Sequence, residues 1–406
     1  MSLPRRALLT WELGDNFGHI AKLIKVGGVL RAAGVEVFVA LQNLAGVAPL
    51  LDQLDATLLA APYAKVKPPS DPKRPILTYA DDLRPCGYDK PRELAALIRA
   101  WDGLYQLVQP DLLLVNSSPT ALLAARPYTN MLKVAMGIGY EVPCLSEPMP
   151  PLRYWEKNNP EELQSHERSV LNVINEAQTI LGRDAVCSIA DMLRTDMSFI
   201  TAFPEFDHYP NRVEGIYTGP FFVEDGGLDV TWRPRRPEAK RIFAYLSHGQ
   251  DLNAVVQALH KSPHDVILVA RRISEDNVKA LKTNPHLQVF TDPVKIKQLT
   301  QGADVCLTHG GTGTFMQFLL QGVPQVIFPN HIEQLMVAKR MEEAGVGLIG
   351  TPQGDVHKVV TVIDRVLFEP QYTEKAGLWA QKHAGYSVDA RAGEIGQALL
   401  EKMARN

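Results

Sequence analysis

The stretch His309-Gly310-Gly311-Thr312-Gly313-Thr314 gathers residue types that can hold an anion. It follows a short apolar run, Asp304 to Thr308, and precedes residues with helical spacing, so it reads as a strand-to-helix turn. Glycines there let the backbone approach a ligand closely and adopt positive φ. The first turn of a helix carries N–H groups without an intrahelical acceptor, and the helix dipole adds partial positive charge. Together these make a phosphate site. Thr312 and Thr314 can cap such a helix and also donate hydroxyls to phosphate oxygens. His309, at the carboxyl end of its strand, stands where open α/β sheets bind ligands. The helix stops at Gly322-Val323-Pro324, and the next apolar run, Gln325 to Phe328, delivers Pro329 and the carboxylate–amide pair Glu333-Gln334. A phosphate cradle beside hydroxyl-binding groups suits a sugar diphosphate. The plainer readings are a glycine turn used for tight packing and a capping pair at Glu333-Gln334.

His19 is the second chemical candidate. An imidazole with a pKa near 6.5 can accept a proton from a hydroxyl near neutral pH. It follows Gly18 at another strand-to-helix turn, where it could equally satisfy backbone groups at a helix start. The chain contains no Asp-x-Asp spacing, the carboxylate pair that would hold a cation on a diphosphate. The expectation is therefore no metal and no cofactor.

Short apolar runs must position these groups. Arg6 to Leu13, Val35 to Leu41, Leu112 to Val115 and Lys133 to Met136 read as buried parallel strands. So do Arg241 to Leu246, Val266 to Val269, Val289 to Thr291, Val305 to Thr308 and Gln325 to Phe328. Helical stretches (Ile20 to Ala33, Pro91 to Val108, Thr314 to Gln321, Gln334 to Ala344) alternate with them. That alternation predicts right-handed βαβ units and two doubly wound α/β domains. A Pro/Gly/charge cluster from Thr218 to Pro237 marks the boundary. The irregular stretch Tyr140 to Asn159, with Pro143, Pro148, Pro150, Pro151, Tyr140, Tyr154 and Trp155, is either a binding loop or a surface loop packing its own aromatics.

The chain has 406 residues, with 42 Lys+Arg against 45 Asp+Glu and a formal net charge of −3. This balance gives no electrostatic case for a nucleic-acid partner. Hydrophobic residues at 46% and charged residues at 21% exclude disorder as the main state. The 4 cysteines lie far apart, which predicts reduced thiols and a cytoplasmic protein. The N-terminus lacks a secretory pattern. No apolar run approaches the roughly 18 residues of a spanning helix, which leaves peripheral membrane contact open.

From His309 through Gln334 the motifs resemble the donor-binding signature of UDP-dependent glycosyltransferases with the GT-B fold. That signature is a His-Gly-Gly-Thr turn before a helix, then Gly-Val-Pro, then Pro and an acidic residue followed by Gln. Phe290-Thr291-Asp292-Pro293-Val294 is similar to the family loop that lies against the nucleobase. Gly219-Pro220 and Tyr245-Leu246-Ser247-His248-Gly249-Gln250 also stand in family order. The resemblance covers about the last 190 residues. It is weaker over the first half, where Gly18-His19, Gly34-Val35-Glu36-Val37 and Pro110-Asp111 fit.

The resemblance implies two Rossmann-like doubly wound parallel-sheet domains facing each other across a cleft. Residues 1–218 would form the acceptor side and 219–385 the donor domain, with 386–406 a helix returning to the first. It further implies a metal-independent inverting transferase that moves a hexose from a UDP- or dTDP-sugar to a hydroxyl acceptor. His19 would be the base. His309, the Gly310-to-Thr314 turn, Ser247 and His248 would serve the diphosphate, Val294 the nucleobase, Gln317 the ribose, and Glu333 and Gln334 the sugar. Relatives orient the base with an Asp where this chain has Asn116, so Asn116 or Asp15 is expected to orient His19. The acceptor is expected to be apolar, aromatic or lipid-like from the aromatics of the loop at Tyr140 to Trp155. Two alternatives are a nucleotide-sugar-binding auxiliary without transfer, motivated by Asn116, and a GT-B isomerase of UDP-sugars.

Overall fold

The computed structural model describes residues 4–14, 17–45, 54–65, 74–222, 227–247, 249, 251–271, 273 and 275–405. It divides into two compact units, Met1–Phe221 with Ser387–Asn406, and Phe222–Tyr386. In chain order the first unit contains β1 (Arg6–Trp11), α1 (Phe17–Ala32), β2 (Glu36–Leu41), β3 (Thr57–Ala60) and α2 (Pro91–Val108). There follow β4 (Leu112–Asn116), α3 (Pro119–Ala124), β5 (Leu132–Gly137), α4 (Pro160–Leu181), β6 (Met197–Ile200) and β7 (Ile216–Tyr217). The second unit contains β8 (Arg241–Leu246), α5 (Leu252–His260), β9 (Asp265–Ala270), β10 (Leu287–Phe290), β11 (Val305–Thr308) and α6 (Thr312–Leu319). It continues with β12 (Gln325–Ile327), α7 (Ile332–Ala344), β13 (Gly347–Ile349), α8 (Val356–Phe368) and α9 (Pro370–Lys382). The last helix, α10 (Val388–Arg405), belongs to the first unit.

The first sheet runs β3-β2-β1-β4-β5-β6-β7 and the second β10-β9-β8-β11-β12-β13, each strand parallel to its neighbours. Both orders start at an inner strand, run outward to one side, then return across it to the other. This is the doubly wound arrangement, and it places a switch point between β1 and β4 and another between β8 and β11. Buried strands of this kind need apolar residues on both faces. In β8, Ile242, Ala244 and Leu246 enter one core cluster while Phe243 enters the other. Phe243 also stacks on Phe318 of α6, with centroids 4.6 Å apart, which fixes that helix against the sheet.

The expected strands are all present, with ends moved by a few residues. Sequence reading overlooked β3, β6, β7 and β13, which are short or lie toward the sheet edges, and the 22-residue α4. Helix α4 carries ordinary signals. Asn159 caps it by accepting from Glu161 N–H, Pro160 opens it, and Gly182 closes it at φ 66°. The stretch Tyr140 to Asn159 lies outside regular structure.

Two packing features govern how the first unit holds its site. Helix α10 lies on α1, where Lys25 Nζ meets Asp389 at 2.7 Å and a Cβ on Gly396 would come within 2.3 Å of Val29 Cγ1. Glu12, directly after β1, is fully buried. Its Oε2 accepts the N–H groups of Thr120 (3.0 Å) and Ala121 (3.2 Å) in the first turn of α3. Burial pushes this carboxyl up to about 8, against the opposing pull of those hydrogen bonds.

Replacing Gly396 with Val forces β-branched bulk into Val29 and should cost about 1–3 kcal/mol in denaturant unfolding. Gly393→Ala on the same helix, where nothing lies within 4 Å, should instead gain up to about 1 kcal/mol. For Glu12 the folded value exceeds the unfolded 4.5, so the folded state binds the extra proton between the two values. Stability must therefore fall as pH rises through that window. Relative to Glu12→Gln, the wild type should lose on the order of 4 kcal/mol between about pH 5 and about pH 9. Parallel unfolding profiles of the two proteins would contradict this.

Candidate functional site

In the second unit, β8, β11 and β12 are neighbours, with Thr308 paired to Tyr245 on one side and to Ile327 on the other. Their carboxyl ends bring Ser247, His309 and the turn Asn330 to Gln334 onto one edge of the sheet. Gly310 adopts φ 98°, and a Cβ there would lie 3.2 Å from Ile327 Cγ2 and 3.3 Å from Gln334 Cβ. Glycine is required both for the turn and for the approach of α7. A Cβ on Gly249 would fall on the Asn330 side chain, so the turn after β8 also touches the turn after β12.

Helix α6 starts at Thr312, earlier than the sequence predicts, and its N-cap is Gly311 at φ −60° and ψ 117°. Thr312 and Thr314 therefore lie inside the first turn with Gly313 and do not cap it. Just before it, the Thr308 hydroxyl accepts the Gly310 N–H at 3.1 Å. No side chain caps α6. Gly311 is exposed and residues 312–314 are half-buried, so the first-turn N–H groups are open to a ligand.

His309 is buried, with Nδ1 2.7 Å from the Phe328 carbonyl oxygen. A carbonyl only accepts, so Nδ1 carries a proton and the neutral ring is an acceptor at Nε2. Gln317 is buried one turn into α6 and donates to the Gly313 carbonyl at 3.3 Å. Gln334 Oε1 accepts the Asn330 N–H at 2.9 Å, and Glu333 lies 3.7 Å from His331 Nδ1. Gln334 thus ties down the residue before the N-cap His331, and no side chain caps α7.

Val294 lies in the loop after β10. Its side chain is buried among Val230, Phe243 and Leu299, so it cannot lie against a base. Leu228 bridges its neighbours, donating to Pro293 O at 2.8 Å and accepting from Lys295 N–H at 2.9 Å. That pattern turns the Val294 backbone N–H and C=O to the opposite side of the loop. His248 lies outside the described residues.

In the first unit Trp11 and Asn116 pair across the switch point between β1 and β4. His19, in the first turn of α1, stacks on Trp11 at 5.1 Å and 16°. Its Nδ1 lies 2.8 Å from Asn116 Oδ1 and 3.1 Å from Glu141 Oε1. Asn116 is fully buried, and its Nδ2 donates to Met136 O and to Glu141 Oε2, both at 2.7 Å. The amide orientation is thereby fixed with Oδ1 toward His19. The proton sits on Nδ1, and Nε2 keeps the lone pair. Gly14, at φ 95°, faces that atom, since a Cβ there would lie only 2.4 Å from Nε2. Asp15 lies outside the described residues.

Glu141 was not among the sequence candidates. It sits in the turn after β5 and accepts from Lys22 Nζ at 2.6 Å and from Ile138 N–H at 2.9 Å. A Cβ on Gly137 would come within 2.4 Å of its Oε2. Burial alone would raise this carboxyl, but the charges of Lys22 and His19 outweigh it and hold the group well below the usual range. One sequence signal pointed this way: Lys22 stands between Ile20 and Leu23, and a lysine on a buried helix face requires a carboxylate.

In the loop from Tyr140 to Asn159, Met149 and Leu152 are fully buried, and Tyr140 meets Tyr79 at 6.2 Å and His208 at 5.9 Å. Tyr154 and Trp155 form an edge-on pair at 5.0 Å and stay half-buried. Beside Glu141, a recess of about 40 Å³ is lined by Tyr79, Ser118, Leu122, Leu193 and Arg212. Among the described residues no helix is long and apolar enough to cross a membrane, and no metal-binding cluster is found.

Residues 253–399 match the model of the erythromycin biosynthesis protein CIII-like C-terminal domain. An uncharacterized UDP-glucosyltransferase, YdhE of Bacillus subtilis (strain 168), is 25% identical over 176 residues, 42% of this chain and 44% of that protein. The chain thus spans less than half the length of this curated relative. The calicheamicin glycosyltransferase CalG4 has a TM-score of 0.69 at 18% identity, covering 99% of this chain and 100% of that one. The glycosyltransferase VinC in complex with dTDP matches at 0.69 and 16% identity, with the same coverage. At such identities these structures establish the fold. The two parallel-sheet units thus have the GT-B fold of these glycosyltransferase structures, and the matched C-terminal domain and the order of motifs make the chain similar to UDP-glycosyltransferase-like proteins.

Proposed function

We propose that the protein is a glycosyltransferase that moves a hexose from a UDP- or dTDP-sugar to a hydroxyl acceptor with inversion and without a bound metal. The observation that carries this reading is the open, uncapped first turn of α6 behind His309, beside Glu333 and Gln334 on adjoining strand ends. The N–H groups of Thr312, Gly313 and Thr314 would receive the diphosphate, with the helix dipole opposing its charge. The backbone of Val294 would read the pyrimidine edge. Gln317 would meet the ribose, Glu333 and Gln334 the sugar hydroxyls, and Ser247 a phosphate oxygen. His309 can donate to the diphosphate only as the imidazolium, because Nδ1 is committed to Phe328. Preorganised donors of this kind stabilise the leaving group as the anomeric bond breaks.

In the transfer step His19 Nε2 would take the acceptor hydroxyl proton. The acceptor oxygen bonds to the anomeric carbon, and the electron pair of the breaking bond leaves with the diphosphate. Approach from the face opposite the leaving group inverts the centre. The half-buried Tyr154 and Trp155 favour an apolar or aromatic acceptor. The auxiliary-protein alternative was motivated by Asn116, and the Glu141 carboxylate on the same imidazole nitrogen removes that motive.

Titration calorimetry with UDP and dTDP should show binding of at least one of them. No binding of either nucleotide would defeat the proposal. Thr314→Asp adds an acid to the first turn of α6, which favours the helix dipole, so thermal stability should hold. The same charge opposes a diphosphate, and affinity should drop by more than about tenfold. His19→Ala should leave nucleotide affinity unchanged while lowering transfer by about 10²–10⁴. An undiminished rate would remove His19 from the chemistry.

A further inference from the structure

We propose that Glu141 is the carboxylate that orients His19 and stabilises its protonated form, and that Lys22 keeps Glu141 ionised. The role in transfer rests on the reading of His19 as general base. Asn116 holds the Nδ1–H in place but carries no charge, so it cannot balance an imidazolium. Glu141 can. Its Oε1 lies 3.1 Å from Nδ1, and its Oε2 receives Lys22, Asn116 and the Ile138 N–H. The two oxygens divide the work, one toward the base and the other toward the groups that anchor the carboxylate.

Burial makes this arrangement consequential. The side chains of Lys22 and Glu141 are only 4% and 8% exposed, so either charge alone would be costly. Lys22 also follows His19 by three residues, which places both on one face of α1 above the turn that carries Glu141. The groups facing His19 are Glu141 from the turn after β5, Lys22 from its own helix, neutral Asn116 from β4 and Trp11 from β1. With His19 neutral, Lys22 and Glu141 cancel. When Nε2 takes the acceptor proton the Nδ1–H stays in place, and Glu141 is the anion facing the new positive charge. Gly137 is part of the same device, since a side chain there would collide with Oε2. The geometry makes Glu141 a positioning residue that acts through His19.

The test follows the His19 imidazole by NMR titration in the nucleotide-free protein and compares pH–rate profiles. Glu141→Gln alone strands the buried Lys22 and could unfold the chain, so it is paired with Lys22→Met. In the double variant the His19 titration midpoint should move to lower pH by about 1 pH unit or more. The acid limb of the rate profile should move with it, and the neutral-pH rate should fall by roughly tenfold or more. Adding Asn116→Asp returns a carboxylate to the same nitrogen and should restore the midpoint and part of the rate. A merely structural Glu141 would lower stability without moving the midpoint, and an unmoved midpoint in the folded double variant overturns the proposal. A midpoint that moves and is rescued, in a wild type that transfers no sugar, supports the pairing and overturns the transferase reading alone.

Discussion

The reversal of strand order at β1/β4 and at β8/β11 is the constraint on which the rest of the molecule depends. All strands of each sheet are parallel, so every carboxyl end emerges along one edge. Crossovers on the two sides of the reversal then lead away from each other, and no connection covers the gap between those two strands. The residues argued to do chemistry collect there. Trp11, His19 and Asn116 surround one reversal, and Ser247 and His309 flank the other. Helices α1 and α6 both begin at these points, so the same geometry places a histidine beside each helix start.

Glu12 and Glu141 show what burial does with and without a countercharge. Both carboxylates are buried in the first unit near the ends of central strands. Among the described residues Glu12 is held by the N–H dipoles of α3 and the Thr120 hydroxyl, and desolvation carries its pKa up to about 8. Glu141 meets a lysine and an imidazole, and their charges carry it below the ordinary range in spite of comparable burial. Dipoles soften the cost of burying a carboxylate, whereas a full charge at 2.6 Å reverses it. One carboxylate therefore behaves as a neutral structural group near pH 7 and the other as a permanent anion.

The central strands were legible because parallel strands buried on both faces leave continuous apolar runs such as Leu112 to Val115. The edge strands were not. β3 is mostly exposed, and β7 spans only Ile216–Tyr217, too little for any period to register. The turn was readable from its glycines, but its exact start was not, since the N-cap is Gly311 and no capping side chain marks it. Val294 was assigned from a motif position that does not reveal which way the side chain points. Glu141 was out of reach for a different reason. Residues 19, 22, 116 and 141 meet through the sheet order, and no spacing along the chain encodes that meeting. The buried position of Lys22 signalled that a carboxylate partner existed without saying which one.

The two histidines share one construction and would use it in opposite senses. Each commits Nδ1–H to an oxygen, Asn116 Oδ1 for His19 and the Phe328 carbonyl for His309, so each works through Nε2. A base needs the lone pair at Nε2, so His19 must begin the reaction neutral and end it protonated. A donor to a diphosphate needs the proton at Nε2, so His309 would serve there only as the imidazolium. On the proposed function, the two rings therefore need opposite protonation states. Glu141 stabilises the imidazolium of His19, while for His309 the arriving diphosphate is itself the anion that stabilises the proton.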